Sequence, residues 1–215
     1  TGADLDRMDD SELARRIDPK RFTPDLGPVP KAGGSDTVYF SVADKDGMMV
    51  AFINSLFSGF GSSIVTRKTG IALQNRGQGF VLDPKHRNCI APGKRPLHTL
   101  VPAMAMKDGL PHMPFGVMGA AFQPLGHVFV VTNMVDYGMD PQEALDFPRA
   151  FVEGDVVGVE DGVPAAVCAG LTEFGHNVER RAEPWGGGQS ILIDRANGVL
   201  VGASDHRKDG CALGY

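Results

Sequence analysis

Residues 37–56 carry the strongest short-range pattern in the chain. Thr37-Val38-Tyr39-Phe40-Ser41-Val42-Ala43-Asp44 is rich in strand formers. Lys45-Asp46-Gly47 follows with a glycine where a turn wants positive φ, and residues 48–56 are a second strand-like run. The pattern predicts an antiparallel hairpin. Residues 59–63 read as a loop, and Gly70-Ile71-Ala72-Leu73-Gln74-Asn75 suggests another strand. From residue 123 to 136 the apolar spacing fits a helix that ends near Gly138. A second helix is expected over 141–147, with Asp140 as N-cap and Pro141 in the first turn. Residues 163–174 suggest a third, stopped by Gly175. Ile191-Leu192-Ile193-Asp194 and Val199-Leu200-Val201-Gly202 flank an Asn197-Gly198 turn, the signature of another hairpin. Strands, then helices, then strands again predict an α+β layered fold rather than a sandwich or a doubly wound sheet.

Residues 1–36 have a different texture. Residues 10–17 look helical and are stopped by Asp18-Pro19. Residues 22–34, dense in proline and glycine, read as an extended linker. This segment lacks the apolar periodicity for a core of its own, so the division expected is 1–36 and 37–215.

Composition narrows the function classes. Hydrophobic residues make up 42% and charged residues 22%, enough for a packed core. Lys+Arg number 21 against 26 Asp+Glu, a formal charge of −5, which argues against a nucleic-acid partner. No apolar run approaches membrane-spanning length, so no membrane partner is expected. The 28 glycines among 215 residues exceed the usual share of about 7% and point to tight turns and close backbone approaches. Cys89, Cys168 and Cys211 are dispersed and odd in number, so neither a disulfide framework nor a structural zinc site is expected. A reducing, cytoplasmic compartment fits that usage; a periplasmic one would need a signal outside these residues.

Generic motifs add little. No GxGxxG opens a helix, no GxxxxGK[ST] occurs, and GxSxG is absent. The six histidines are scattered, with no HxxxH or HxH pair, so no metal or cofactor is expected. Gly186-Gly187-Gly188 reads as a bend before the strand at Ile191.

Six ordered blocks carry more. These are residues 36–47, with Ser41-Val42-Ala43-Asp44-Lys45-Asp46-Gly47; Phe60-Gly61; Gly70-Ile71 with Leu73 and Asn75; Pro92-Gly93-Lys94-Arg95-Pro96-Leu97; Gly138-Met139 with Glu143-Ala144 and Pro148-Arg149; and Gly202-Ala203-Ser204-Asp205 with Arg207, then Gly214-Tyr215. In this order and register, residues 37–215 resemble the small subunit of γ-glutamyltranspeptidases, and residues 1–36 the end of the large subunit. The resemblance implies a four-layer αββα fold of the N-terminal nucleophile hydrolase type. It implies a precursor that cleaves itself before a threonine, whose hydroxyl then attacks an amide while its freed α-amine acts as base. A peptide nitrogen cannot serve as that base, and a terminal amine with a pKa of about 8 can. The partner implied is the large subunit from the same precursor.

By the same resemblance Thr37 is the nucleophile; Thr1 precedes a charged, helix-like segment instead of a strand. Ser55 falls where the family places a hydroxyl bonded to the nucleophile. Gly119-Ala120 falls on the pair whose backbone N–H groups form the oxyanion hole. The substrate positions depart from the glutamyl-transferring members. Phe57, Arg76 and Gly79 stand where those members hold the substrate's amino group, and His98-Thr99 where a Ser-Ser pair helps hold its carboxylate. A cation at residue 76 repels an ammonium and attracts a carboxylate. The pattern resembles the branch with oxamate amidohydrolases and some cephalosporin acylases, and implies a small anionic amide as substrate. The alternatives are a true γ-glutamyltransferase or glutathione hydrolase, and an unmatured, non-catalytic subunit. Arg76 in a structural salt bridge and His98 as a core histidine are the plain readings of those two residues.

Overall fold

A computed structural model describes residues 37–215. The helix expected at residues 10–17 and the linker at 22–34 lie outside the described residues. In chain order the elements are β1 (Thr37–Ala43), β2 (Met49–Ser55), β3 (Ala103–Lys107), β4 (Leu110–Met118), α1 (Gln123–Val135), α2 (Pro141–Asp146), β5 (Ala150–Glu153), β6 (Val156–Val159), α3 (Ala165–Glu173), β7 (Asn177–Arg180), β8 (Gly187–Asp194) and β9 (Val199–Ser204). The chain divides into two compact units, one holding residues 37–80, 93–147 and 185–215, the other residues 81–92 and 148–184.

In the first unit β1 and β2 form the expected hairpin, in register from Thr37↔Ser55 to Ala43↔Met49. The Asp44 carboxylate accepts from the N–H groups of Asp46 and Met48, and Gly47 takes φ 85° to close the turn. A second sheet runs β3-β4-β8-β9, antiparallel throughout. Its central strand faces two ways. A Cβ on Gly116 would lie 2.4 Å from the Tyr39 ring, whereas the next residue, Val117, sits 2.8 Å from where a Gly126 Cβ would be on α1. The hairpin therefore packs on one face of the sheet and the helices on the other. Tyr39, Phe115, Val117, Phe122, Val130 and Leu145 form the buried core. Each such side chain stabilises by about 1.5–3 kcal/mol.

The helices form where caps and periodicity agree. Gln123, Gly126, His127, Val130 and Asn133 are the buried stripe of α1. A capping box starts α2: Glu143 N–H donates to Asp140 Oδ1 at 2.8 Å, and Asp140 N–H to Glu143 Oε2 at 3.0 Å. Its last carbonyls accept from Arg207, which also pairs with buried Asp205 at 3.1 Å. Asp205 in turn accepts the Gly188 N–H at 3.0 Å, tying α2 to the sheet.

The second unit holds a three-stranded sheet, with β5 antiparallel to β6 and β6 parallel to β7 through α3. Val157, Val159 and Val163 form its core, with Val152, Leu171 and Val178 packed against them. The third helix expected from sequence is α3, preceded by Pro164 and followed by Gly175 at φ 92°. The C-terminal hairpin is also present, with longer strands than the sequence indicates.

One expected strand is not formed. Residues 70–75 make a single bridge, Val65↔Ala72, and close back on residues 62–66 through Ser62 N–H to Leu73 O and Leu73 N–H to Ile64 O. These bonds hold residues 71–73 against residues 62–66, away from either sheet of the first unit. Cys89, Cys168 and Cys211 are free thiols. Among the described residues no helix is long and apolar enough to cross a membrane.

His127 supplies a pH prediction. Burial holds its imidazole below the ordinary pKa of 6.5, outweighing a 2.6 Å hydrogen bond from its ring to Gln123 O. The unfolded chain therefore binds more protons than the folded one as pH drops below about 6.5, so stability should fall with pH there. Urea unfolding at pH 7 and pH 5 measures the slope, which should flatten in His127→Asn.

Candidate active site

Thr37 opens β1 directly opposite Ser55, and opposed residues of an antiparallel pair share a face. The Thr37 hydroxyl donates to Ser55 Oγ at 3.0 Å. Ser55 Oγ also accepts the Phe57 N–H at 2.9 Å, which fixes its lone pairs towards both groups. Tyr39 lies two residues on from Thr37, so both side chains turn towards the four-stranded sheet.

Phe57 leaves β2 with φ 82°, unusual for a bulky residue. That reversal sets its ring under the Arg76 guanidinium, 5.3 Å from the centroid. Arg76 begins a 3₁₀ turn, Arg76–Gly79, and is only 9% exposed. The two loops are stitched together by Ser58 N–H to Asn75 Oδ1 at 3.1 Å and Asn75 N–H to Leu56 O at 3.1 Å. The Gln74 side chain accepts the Arg76 N–H. Burial lowers the Arg76 pKa, and Nη1 is buried with no hydrogen-bond partner among the described residues. Among the described residues Arg76 makes no ion pair. A desolvated donor of this kind is stabilised by an incoming anion.

Gly119 and Ala120 end β4 in a backbone reversal, with φ 133° and 50°. A Cβ on Gly119 would lie 2.8 Å from Gly186 Cα, and one on Gly186 would lie 2.2 Å from Met118 O. The reversal is built from bare backbone. Gly186 belongs to the run that reads as a simple bend in the sequence. The strand in fact begins at Gly187, and Gly186 is the surface on which Gly119 rests. Three consecutive glycines were the available signal.

The hairpin's direction sets these groups at one end. Tyr39 lies over Gly116, and the hairpin turn at Asp44–Gly47 lines one cavity of about 1320 Å³ with Ile193, Asp194 and Arg195 at the far end of β8. β1 therefore runs with Thr37 towards Gly187 and its partner Met118, next to Gly119. Thr37, Ser55, Phe57 and Arg76 are linked by direct contacts, and the Gly119-Ala120 reversal lies at the same end of the sheet. Among the described residues no hydrogen bond joins His98 or Thr99 to the cluster. His98 is exposed, which corrects the core reading: the connection that carries it has no sheet or helix to cover the ring.

Among the described residues one acidic group, Asp146, Asp205 and His206, has ligand-type atoms within 4.8 Å of one another. Asp205 is already occupied by Arg207 and the Gly188 N–H, and Asp146 by His206 at 2.7 Å. This is a hydrogen-bonded joint between α2 and β9.

The family model Gamma-glutamyltranspeptidase matches residues 6–215. The chain is 39% identical over 220 residues to the glutathione hydrolase-like YwrD proenzyme of Bacillus subtilis, covering 98% of this chain and 41% of the relative. It is 35% identical to the oxamate amidohydrolase proenzyme of Klebsiella pneumoniae, covering 96% and 42%. The chain thus spans about two fifths of the length of these curated relatives. A crystal structure of cephalosporin acylase from Bacillus halodurans superposes with a TM-score of 0.83 at 41% identity, covering 95% of this chain and 38% of that one.

Proposed function

The chain belongs to the γ-glutamyltranspeptidase family, as its small-subunit region, and we propose that it carries an amide hydrolase or acyltransferase centre built on Thr37. The observation that carries this reading is the 3.0 Å hydrogen bond from Thr37 to Ser55 Oγ at the first residue of β1. Cleavage of the bond between residues 36 and 37 frees the Thr37 α-amine. That amine takes the hydroxyl proton as Oγ1 attacks the substrate carbonyl. The backbone N–H groups at Gly119 and Ala120 receive the oxyanion. The proton passes to the leaving amine, the C–N bond breaks, and an ester on Thr37 remains. Water hydrolyses that ester, or a second amine takes the acyl group.

Arg76 supports a small anionic amide as substrate, because its buried Nη1 has no hydrogen-bond partner among the described residues. A relative named as an oxamate amidohydrolase agrees with that chemistry. The large-subunit segment of the same precursor is the proposed partner, in keeping with the proenzyme names of the relatives. The hairpin supports it: Val38, Phe40, Val42, Val50 and Phe52 project from its outer face, each more than 40% exposed, with the two phenyl rings stacked at 4.9 Å. A strand pair apolar on both faces belongs in the interior of a layered fold.

Intact mass measurement of the purified full-length protein tests this. Two chains are expected, one beginning at Thr37. A single uncut chain with full amidase activity would overturn the proposal.

A further inference from the structure

Each glycine of the run at residues 186–188 makes room for a neighbour. Gly188 faces the helices, where a Cβ would lie 2.5 Å from Leu145 Cδ2. Side chains alternate along a strand, so Gly187 faces the hairpin. There the stem of Lys208 lies across it: a Cβ on Gly187 would be 2.3 Å from Lys208 Cγ and 3.5 Å from Cδ. Gly187 pairs with Met118, the residue before Gly119. The stem thus crosses the sheet face that looks towards Thr37, beside the Gly119-Ala120 reversal.

The root of this side chain is fixed. Lys208 N–H donates to Asp205 O at 3.3 Å, and Gly210 N–H donates to Lys208 O at 2.8 Å. Asp205 is itself held by its buried pair with Arg207. Both Asp205 oxygens are engaged, Oδ1 by Arg207 and Oδ2 by the Gly188 N–H. Among the described residues the Lys208 ammonium has neither an ion pair nor a hydrogen bond. A cation on a fixed root, with its stem seated in a glycine gap, loses less side-chain entropy on meeting an anion than a free surface lysine does.

We propose that Lys208 is a specificity-determining residue whose ammonium receives the carboxylate of the amide substrate at the Gly119 end of the sheet. The inference rests on the reading of Thr37 as nucleophile and adds a second cation, besides Arg76, to an anion-selective site.

The experiment uses the processed full-length protein and two substrates of matched shape, glutaryl-anilide and the uncharged pentanoyl-anilide. The readout is the ratio of their kcat/KM values. Lys208→Met should lower that ratio about tenfold, mostly through KM for the anionic member, as expected for loss of one charge-assisted contact. Lys208→Arg should restore most of it. The dependence of that KM on ionic strength should also weaken in Lys208→Met. Gly187→Ala displaces the stem without touching the charge and should move the ratio in the same direction. Melting curves separate these effects from unfolding. A ratio unchanged within twofold in Lys208→Met, or a wild type without preference for the anionic member, overturns the proposal. Retained activity in Thr37→Ala would instead overturn the reading beneath it.

Discussion

Thr37→Ala in the full-length precursor is expected to lose both the cleavage before residue 37 and amide turnover, the latter by at least about a thousandfold, the scale seen when a covalent nucleophile is removed. Both steps draw on one oxygen. The hydroxyl that donates to Ser55 Oγ at 3.0 Å is the group proposed to attack first the neighbouring peptide and then the substrate. The substitution leaves β1 its backbone ladder with β2, so the fold should persist; an alanine in a strand costs at most about 1 kcal/mol. Thr37→Ser keeps an oxygen at the same place and should retain part of both activities. A chain expressed to begin at residue 37 as alanine, together with the large-subunit segment, separates the two roles. It bypasses cleavage and should still be inactive. Undiminished turnover by that purified variant would falsify the assignment.

The elements legible in the sequence are those where local chemistry and long-range packing agree. The first hairpin is announced by its strand-forming residues and by Gly47, and α2 by Asp140 and Pro141, because turn and cap are satisfied within a few residues. β4 was hidden by Pro111 and Pro114, which argue against a strand. The sheet tolerates them because β8 pairs only with Phe115–Met118, leaving the prolines on a stretch with β3 as sole neighbour. β5, β6 and β7 are four residues each, too short to show a period. The site divides in the same way. Thr37 and Ser55 are ordinary strand residues by pattern, and only the family resemblance singles them out. The stack of Arg76 on Phe57 depends on a positive φ at Phe57 that no aromatic residue advertises. The seat of Lys208 on Gly187 joins residues whose proximity follows from the β8–β9 hairpin and the turn beyond it.

Acyl amides that carry a carboxylate and no α-amine should be better substrates than γ-glutamyl amides by about a hundredfold in kcat/KM, the scale set by an unmatched charge in a desolvated site. Three residues motivate the expectation. Phe57 and Gly79 offer no side-chain acceptor for an ammonium, and Arg76 presents a cation whose buried Nη1 has no partner among the described residues. An α-ammonium brought there gives up water and meets a like charge, whereas a carboxylate supplies the missing acceptor. Glutaryl-anilide and γ-glutamyl-anilide differ only in that amino group, so their ratio isolates the effect; oxamate tests the same preference in a smaller acyl group. Arg76→Gln should narrow the ratio from both sides, raising KM for glutaryl-anilide and relieving the repulsion of the γ-glutamyl substrate. Its melting temperature distinguishes this from loss of the Phe57 stack, which Arg76→Lys would lose while keeping the charge. A clear preference of the wild-type protein for γ-glutamyl-anilide would return it to the glutamyl-transferring branch and leave Arg76 as a residue that braces Phe57.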